Sequence, residues 1–257
     1  MPPRLRILQF NIQWGMAWNE DEPERGPVNL EHTAAEIRRV KPDVVFLQEV
    51  ERVPKDRRPR LPPPNFSRLR ELLPGFHAEF AYPPADPREL PFGYGLAVFA
   101  KTPLSLPVVH HLPAPAIRFP FQGREMEATG RIALECRTEW EGLTIRLLNV
   151  HLQAFFIINT SSDAHPEQKN RLLEILRGLP GPTVLAGDLN SAPDESILDD
   201  LAAAGFTTAQ NRAVTWKHRP YVLDHILPNR FFKVATAAIE TTRVSDHEML
   251  LADLTPA

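Results

Sequence analysis

The sequence predicts an α/β (α+β) fold of two stacked mixed β-sheets with helices outside them. Three observations carry that prediction. The first fifty residues read strand, helix, strand, the pattern of a parallel pair. Five strand segments then follow between residues 76 and 150 with few helices between them, which points to antiparallel pairing. The rest of the chain mixes the two signals, with helices at 166–179 and 196–204 and four more short strands.

Residues 5–12 (LRILQFNI) are a short apolar run with β-branched and aromatic members, a buried strand. Residues 13–28 hold Gly15, Pro23, Gly26 and Pro27 and read as a loop. Asn29 caps a helix whose apolar positions Leu30, Ala34, Ile37 and Val40 fall at helical spacing, and Pro42 ends it. Residues 43–50 (DVVFLQEV) form a second buried strand. Five prolines make 51–64 a loop, and a short helix follows at about 66–73. Strands are expected at 76–82, 94–100, 104–111, 131–137 and 143–150. In the helix at 166–179, Pro166 suits the first turn, and Leu172, Ile175, Leu176 and Leu179 make the apolar stripe. A strand at 183–186, a helix at 196–204 stopped by Gly205, and strands at 222–227, 234–240 and 248–254 complete the chain. Without a repeat, a low-complexity tract or a linker, residues 1–257 read as one domain.

Composition narrows the function classes. Hydrophobic residues make up 43% and charged residues 24%, which excludes a mainly disordered chain. The net charge of −3 excludes a global basic charge aimed at nucleic acid. Cys136 is the only cysteine, so an internal disulfide or a cysteine-based zinc site cannot form. No apolar run is long enough to span a membrane and the start lacks a signal-peptide pattern, so the expected location is cytoplasmic.

Six polar clusters fall at the ends of apolar strands: Asn11, Glu49, His151, Asp188 with Asn190, Asp224 with His225, and Asp246 with His247. One such cluster is commonly a cap or a satisfied polar group. Six are harder to explain without a shared site, because strand ends on one edge of a sheet converge. Carboxylates, amides and histidines with no cysteine suit a hard cation such as Mg²⁺ or Mn²⁺. Histidines beside the ion bind phosphate oxygens or move protons, and an Asp positions or deprotonates water. Together these groups point to metal-assisted hydrolysis of a phosphate ester. A zinc hydrolase would need mostly histidine ligands, and no HExxH helix occurs.

The ordered segments FNI, LQE, NVHL, GDLN, DHI and SDH resemble the endonuclease/exonuclease/phosphatase superfamily over residues 7–254. That family includes deoxyribonuclease-I-like nucleases, exonuclease-III-like repair enzymes, neutral sphingomyelinases and inositol polyphosphate 5-phosphatases. The resemblance implies a four-layer αββα sandwich and a role for each matching residue. Glu49 matches the metal-holding carboxylate, with the Asn11 amide supporting metal and phosphate and Asp246 near the metal as a second ligand. Asp188 matches the residue that orients or deprotonates the attacking water, and Asn190 the partner that fixes it and contacts phosphate. His247 matches the phosphate-binding histidine, which Asp224 orients. His151 matches a position that stabilises the transition state or assists the leaving group. In-line attack of water on phosphorus, with no covalent intermediate, is implied. Gln13 stands where the exonuclease-III-like branch has a metal-binding Asp, and Ala154 where it has an Asn, so the departures argue against that branch.

The implied partner is a phosphate-ester substrate, either nucleic acid or a small phosphodiester. Inositol phosphates and other monoesters are the alternative, and a non-catalytic binding domain the third reading. No membrane span and no obligate protein partner are evident. Residues 52–70 sum to +6 (seven Arg and Lys against Asp56) and follow Glu49 directly, a rim for a polyanion or a solvated loop. Phe155, Phe156, Ile157 and Ile158 form either a substrate-facing lip or core. Trp14 and Trp18 either stack on a ring or pack internally. His110, His111 and Cys136 are expected in sheet packing, and Tyr94 at a glycine-rich strand start.

Overall fold

The computed structural model describes residues 3–23 and 25–257. Strand β1 (Leu5–Asn11) leads through a short 3-10 turn (Gln13–Gly15) and a long loop to α1 (Leu30–Arg39), whose N-cap Asn29 side chain accepts from the His32 N–H. Then come β2 (Val44–Gln48), β3 (Glu51–Arg52), α2 (Pro64–Leu72), β4 (His77–Ala81), β5 (Gly93–Tyr94) and β6 (Leu96–Ala100). The middle of the chain supplies β7 (Ser105–Leu112), β8 (Arg118–Phe121), β9 (Arg124–Glu127), β10 (Arg131–Trp140) and β11 (Leu143–His151). After α3 (Glu167–Arg177) come β12 (Thr183–Asp188), α4 (Ile197–Ala203), β13 (Asp224–Pro228), β14 (Phe232–Glu240) and β15 (Met249–Pro256).

Six strands form one sheet in the order β14-β15-β1-β2-β6-β4, and five form the other in the order β13-β12-β11-β10-β7. β1 and β2 pair in parallel across α1, and β11 and β12 pair in parallel across α3. The other neighbours within both sheets are antiparallel. Three apolar layers hold the stack together. Ile7, Phe46 and Val98 meet Leu134, Leu147, Val184 and Ile226 between the sheets. Leu8, Phe10, Leu47 and Phe99 pack under α1 and α2 through Ala34, Ile37 and Leu69. Leu148, Val150 and Leu185 pack under α3 and α4 through Leu172, Leu176 and Leu201. The result is helices, sheet, sheet, helices. Strands buried on both faces explain why the sequence shows continuous apolar runs instead of alternation.

Several expected boundaries shift. The run 94–100 breaks at Gly95, whose φ of 82° ends β5 before β6 begins. The segment 51–64 is not all loop, since Glu51–Arg52 pairs with Gly93–Tyr94. The hairpin β8–β9 was not expected from the sequence. Its strands are largely solvent-facing and carry Pro120, so they lack an apolar pattern. The expected strand at 222–227 starts only at Asp224. Among the described residues no helix is long and apolar enough to cross a membrane.

Candidate active site

Side chains alternate between the two faces of a strand. Along β1, Leu5 and Ile7 face the opposing sheet, and the same row continues as Gln9 and Asn11. On β2 the row runs Val44, Phe46, Gln48; on β11 it runs Ile145, Leu147, Asn149, His151. On β12 it runs Val184, Ala186, Asp188, and on the antiparallel β13 it begins at Asp224 before Ile226. Five inward rows therefore turn from apolar to polar at the same end of the stack. Asp246 and His247 reach that end from the turn before β15.

The deepest part is an amide network. Gln9 and Gln48 bond to each other, and Gln9 Nε2 donates to Asp224 Oδ1 at 3.2 Å. Gln48 Nε2 donates to Asn149 Oδ1 at 2.6 Å. Asn149 Nδ2 donates to the Leu47 and Ala97 carbonyls of the opposite sheet, each at 2.9 Å. All four side chains are fully buried, so these bonds replace those water would make.

Above the network the catalytic candidates converge. Asn11 Nδ2 donates to Glu49 Oε1 at 3.1 Å and to Asp188 Oδ2 at 3.0 Å. The Asn11 Oδ1 accepts from the Gln13 N–H at 3.1 Å. The Asn190 N–H donates to Asp188 Oδ1 at 2.9 Å, and Asn190 Nδ2 to the Leu152 carbonyl. His247 Nδ1 donates to Asp224 Oδ2 at 2.7 Å. Asp188 Oδ2 stands 3.7 Å from His247 Nε2 and 3.6 Å from His151 Nε2. Asp224 is itself fixed by Thr215, whose Oγ1 accepts from the Leu223 and Asp224 N–H groups. Ser245 Oγ donates to the Asn11 carbonyl and accepts from the His247 N–H, tying the turn before β15 to the end of β1.

Two backbone features hold the carboxylates. Glu49 and Asn190 both adopt left-handed backbone, with φ of 50° and 49°. Such conformations are costly for residues with a side chain and concentrate at functional sites. Gly93 lies against Glu49 so closely that a Cβ there would fall 2.1 Å from Glu49 Oε2. The strand β5 thus fixes the Glu49 carboxylate by lacking a side chain.

Burial and charge set the protonation pattern. Burial, reinforced by the Asp246 charge, pushes Glu49 up to about 7. Burial and the neighbouring Asp224 also raise Asp188. Burial opposes a charge on His247, yet Asp224 and Asp246 hold its imidazolium up to about 10. Burial and the nearby Arg131 guanidinium push His151 down to about 3. One histidine is therefore cationic and one neutral near pH 7. Asp246 stays below the usual carboxylate range despite burial, because His247 and His218 lie beside it.

The remaining sequence candidates sort out by position. His225 points to the outer face, where Ser191, Thr208 and the Val222 carbonyl hold its ring. Phe155 and Phe156 are buried and only Ile157 of that group is strongly exposed, so the segment is mostly core. Phe156 packs against Trp216 and Tyr221. Trp14 is buried with the Arg52 guanidinium 5.2 Å from its ring. His110 pairs with Glu135, and Cys136 is buried in β10. Of the 52–70 cations, Arg68 is held by Glu31 and Glu71, and Arg60 by Asp56.

Sequence reading missed several neighbours. Trp216 Nε1 donates to Asp246 Oδ2 at 3.2 Å, and His218 Nε2 lies 3.4 Å from the same oxygen. Arg131, held by Glu89, Thr129 and Gln153, places its charge near His151 and Glu49. Gln9, Gln48 and Asn149 had a readable signal, an amide inside an apolar strand at the inward parity. Trp216 and His218 lie in an irregular loop that offers none.

The donor set can be matched to an ion. Glu49 and Asp246 supply carboxylate oxygens, the chemistry of a hard cation, while Asn11 turns its Nδ2 to Glu49 and its Oδ1 to the Gln13 N–H. Asp188, Asp224 and His247 also bring ligand atoms within 4.8 Å of one another, although His247 Nδ1 is already engaged with Asp224.

The sequence model described as the Endonuclease/Exonuclease/phosphatase family matches residues 8–247. No curated protein sequence matches the chain. Among solved structures, an endonuclease/exonuclease/phosphatase from Beutenbergia cavernae aligns with TM-score 0.68 and 24% identity, over 99% of this chain and 72% of that one. The human nocturnin catalytic domain with bound sulfate aligns with TM-score 0.66 and 21% identity, over 99% and 94%. A mannosyl-6-phosphatase from Bacteroides thetaiotaomicron aligns with TM-score 0.62 and 16% identity, over 98% and 99%. Members of the family are phosphoester hydrolases and generally depend on a divalent metal. With the match running from β1 to His247, and the αββα layers shared with these structures, the chain belongs to the Endonuclease/Exonuclease/phosphatase family.

Proposed function

We propose that residues 1–257 act as one domain that hydrolyses phosphodiesters with Mg²⁺ or Mn²⁺, by in-line attack of water on phosphorus. The observation that carries this reading is the position of Asp188 Oδ2, held by Asn11 and standing 3.6 Å from His151 Nε2 and 3.7 Å from His247 Nε2. Glu49 would hold the ion, with Asn11 and Asp246 beside it, and the ion would supply Lewis-acid charge to the phosphate oxygens. Asp188 takes the proton of the attacking water; its raised affinity for protons suits a base working near neutral pH. His247, kept cationic by Asp224, binds a phosphoryl oxygen through Nε2. Asn190 fixes Asp188 through its N–H and contacts the phosphate. Neutral His151 serves the transition state or the leaving oxygen.

Hydrolysis of bis-p-nitrophenyl phosphate and p-nitrophenyl phosphate, with Mg²⁺, Mn²⁺ or EDTA, tests the proposal. Turnover of the diester with metal and none in EDTA is expected. Preference for the monoester would make the protein a phosphomonoesterase, and full activity in EDTA would overturn the metal role.

A pH effect follows from Glu49. Its proton and the ion compete for one carboxylate, and the proton leaves as pH rises through about 7. The rise in Tm on adding Mn²⁺ should therefore be larger at pH 8 than at pH 5.5. Equal shifts at both pH values would remove Glu49 from the ion's ligands.

The 52–70 stretch starts on β3, beside Glu49, and Arg57 and Arg58 form no ion pair among the described residues. Replacing Arg57, Arg58 and Arg60 by Ala should raise KM for an anionic substrate and flatten its salt dependence. Unchanged KM at low salt would make this stretch an ordinary solvated loop.

A further inference from the structure

Residues 241–248 join β14 to β15 without helix or strand, and they bring two adjacent side chains, Asp246 and His247, into the centre. The directions of neighbouring side chains in such a segment depend on its φ and ψ. Its peptide planes must therefore be held if both groups are to stay aimed at one site.

The segment 215–218 does the holding. The Thr215 carbonyl accepts from the Glu248 N–H at 2.8 Å, and Trp216 bridges to His247 through the backbone. Trp216 and His218 reach the Asp246 carboxylate with their side chains. Lys217, between them, reaches the backbone instead. Its Nζ donates to three carbonyls of the turn, Thr242 at 2.7 Å, Ser245 at 2.5 Å and His247 at 3.3 Å. Its own N–H donates to a fourth, that of Asp246, at 2.9 Å. Three consecutive carbonyls, of Ser245, Asp246 and His247, thus end on one residue. Glu248 faces the ammonium at 3.6 Å and accepts from the Thr242 N–H at 2.8 Å, which closes the turn on itself.

The choice of residue fits the task. The Lys217 side chain is 12% exposed, and a charge so buried is costly unless it is bonded. An ammonium carries three donors on one atom, and three carbonyls converge on it. A neutral side chain would leave at least one buried carbonyl dry. We infer that Lys217 is a positioning residue of the catalytic centre: its ammonium fixes the peptide planes of 245–247, and through them the His247 ring against Asp224 and the Asp246 carboxylate beside it. The consequence for turnover rests on the phosphodiesterase reading above, whereas the consequence for the His247 ring does not.

Lys217→Met keeps an unbranched side chain and removes every donor. At a temperature where a thermal melt shows it folded, it should lose about a hundredfold in kcat/KM on bis-p-nitrophenyl phosphate, the scale of a misplaced reacting group. Lys217→Arg, which keeps the charge and several donors, should restore most of that loss. A second readout needs no turnover. The His247 Nδ1 proton, donated to the buried Asp224 carboxylate, should give a slowly exchanging downfield NMR resonance, identified by its absence in His247→Gln. That resonance should broaden or vanish in folded Lys217→Met and return in Lys217→Arg. A purely structural lysine would lower Tm and leave both the resonance and the kcat/KM of the folded variant unchanged. A retained resonance or a wild-type kcat/KM in folded Lys217→Met would overturn the inference, as would absence of the resonance from the wild-type protein. Should Lys217→Met not fold, Lys217→Gln takes its place with the same expectations. A chain that folds with neither replacement makes Lys217 a structural residue and overturns the inference too. A wild-type protein that turns over no ester fells the hydrolase reading and leaves the resonance to decide on Lys217.

Discussion

Replacing Asp188 by Asn should lower kcat on bis-p-nitrophenyl phosphate by about a thousandfold while the protein stays folded. The loss follows from chemistry, since an amide cannot take a proton from water, and a positioned base contributes about 10²–10⁴ in rate. Retained folding follows from contacts. The Asn carbonyl can still accept from the Asn190 N–H, and removing a buried carboxylate that burial and Asp224 already disfavour offsets the lost bond from Asn11 Nδ2. KM should change little, because phosphate is held by other groups. Steady-state kinetics with a thermal melt of the same sample checks both halves. A variant with near-wild-type kcat would assign the base role elsewhere, and one that is inactive and unfolded would make Asp188 a structural residue.

The largest expected effect on stability lies below the catalytic groups. Asn149→Leu keeps the branched shape of the side chain but removes three buried hydrogen bonds, to the Leu47 and Ala97 carbonyls and from Gln48 Nε2. At about 1 kcal/mol each, with further cost for polar groups left dry, the variant should lose about 3 kcal/mol. Urea unfolding monitored by circular dichroism measures it. A loss below about 1 kcal/mol would mean that these carbonyls are satisfied without Asn149.

The fold was readable in the sequence wherever strands are buried on both faces, as at 5–12, 43–50 and 143–150. There the apolar run leaves few alternatives to a central strand. It was unreadable at 118–127, where both strands face solvent and the only order is their mutual pairing. The site was legible because its residues end apolar strands, and a carboxylate or histidine in that setting stands out. Asp188, Asp224 and His247 do meet, with Asn11 and Glu49 against them. What composition and motif order could not convey was support. The Gly93 backbone against Glu49 comes from 44 residues further along the chain, and the Trp216 and His218 side chains beside Asp246 from an irregular loop. Such contacts depend on loop path, which local pattern does not encode.

Asn11 lies in the six-stranded sheet and Glu49 directly after its strand β2, whereas His151, Asp188 and Asp224 belong to the five-stranded one. The candidate centre is a seam, and the proposed catalysis requires the two slabs to be docked face to face. Activity is therefore a reporter of docking itself. A chain nicked in the 113–117 connection splits both sheets, because β7 stays with the first half and β14 and β15 with the second, so turnover regained on mixing the halves should report strand pairing and docking together.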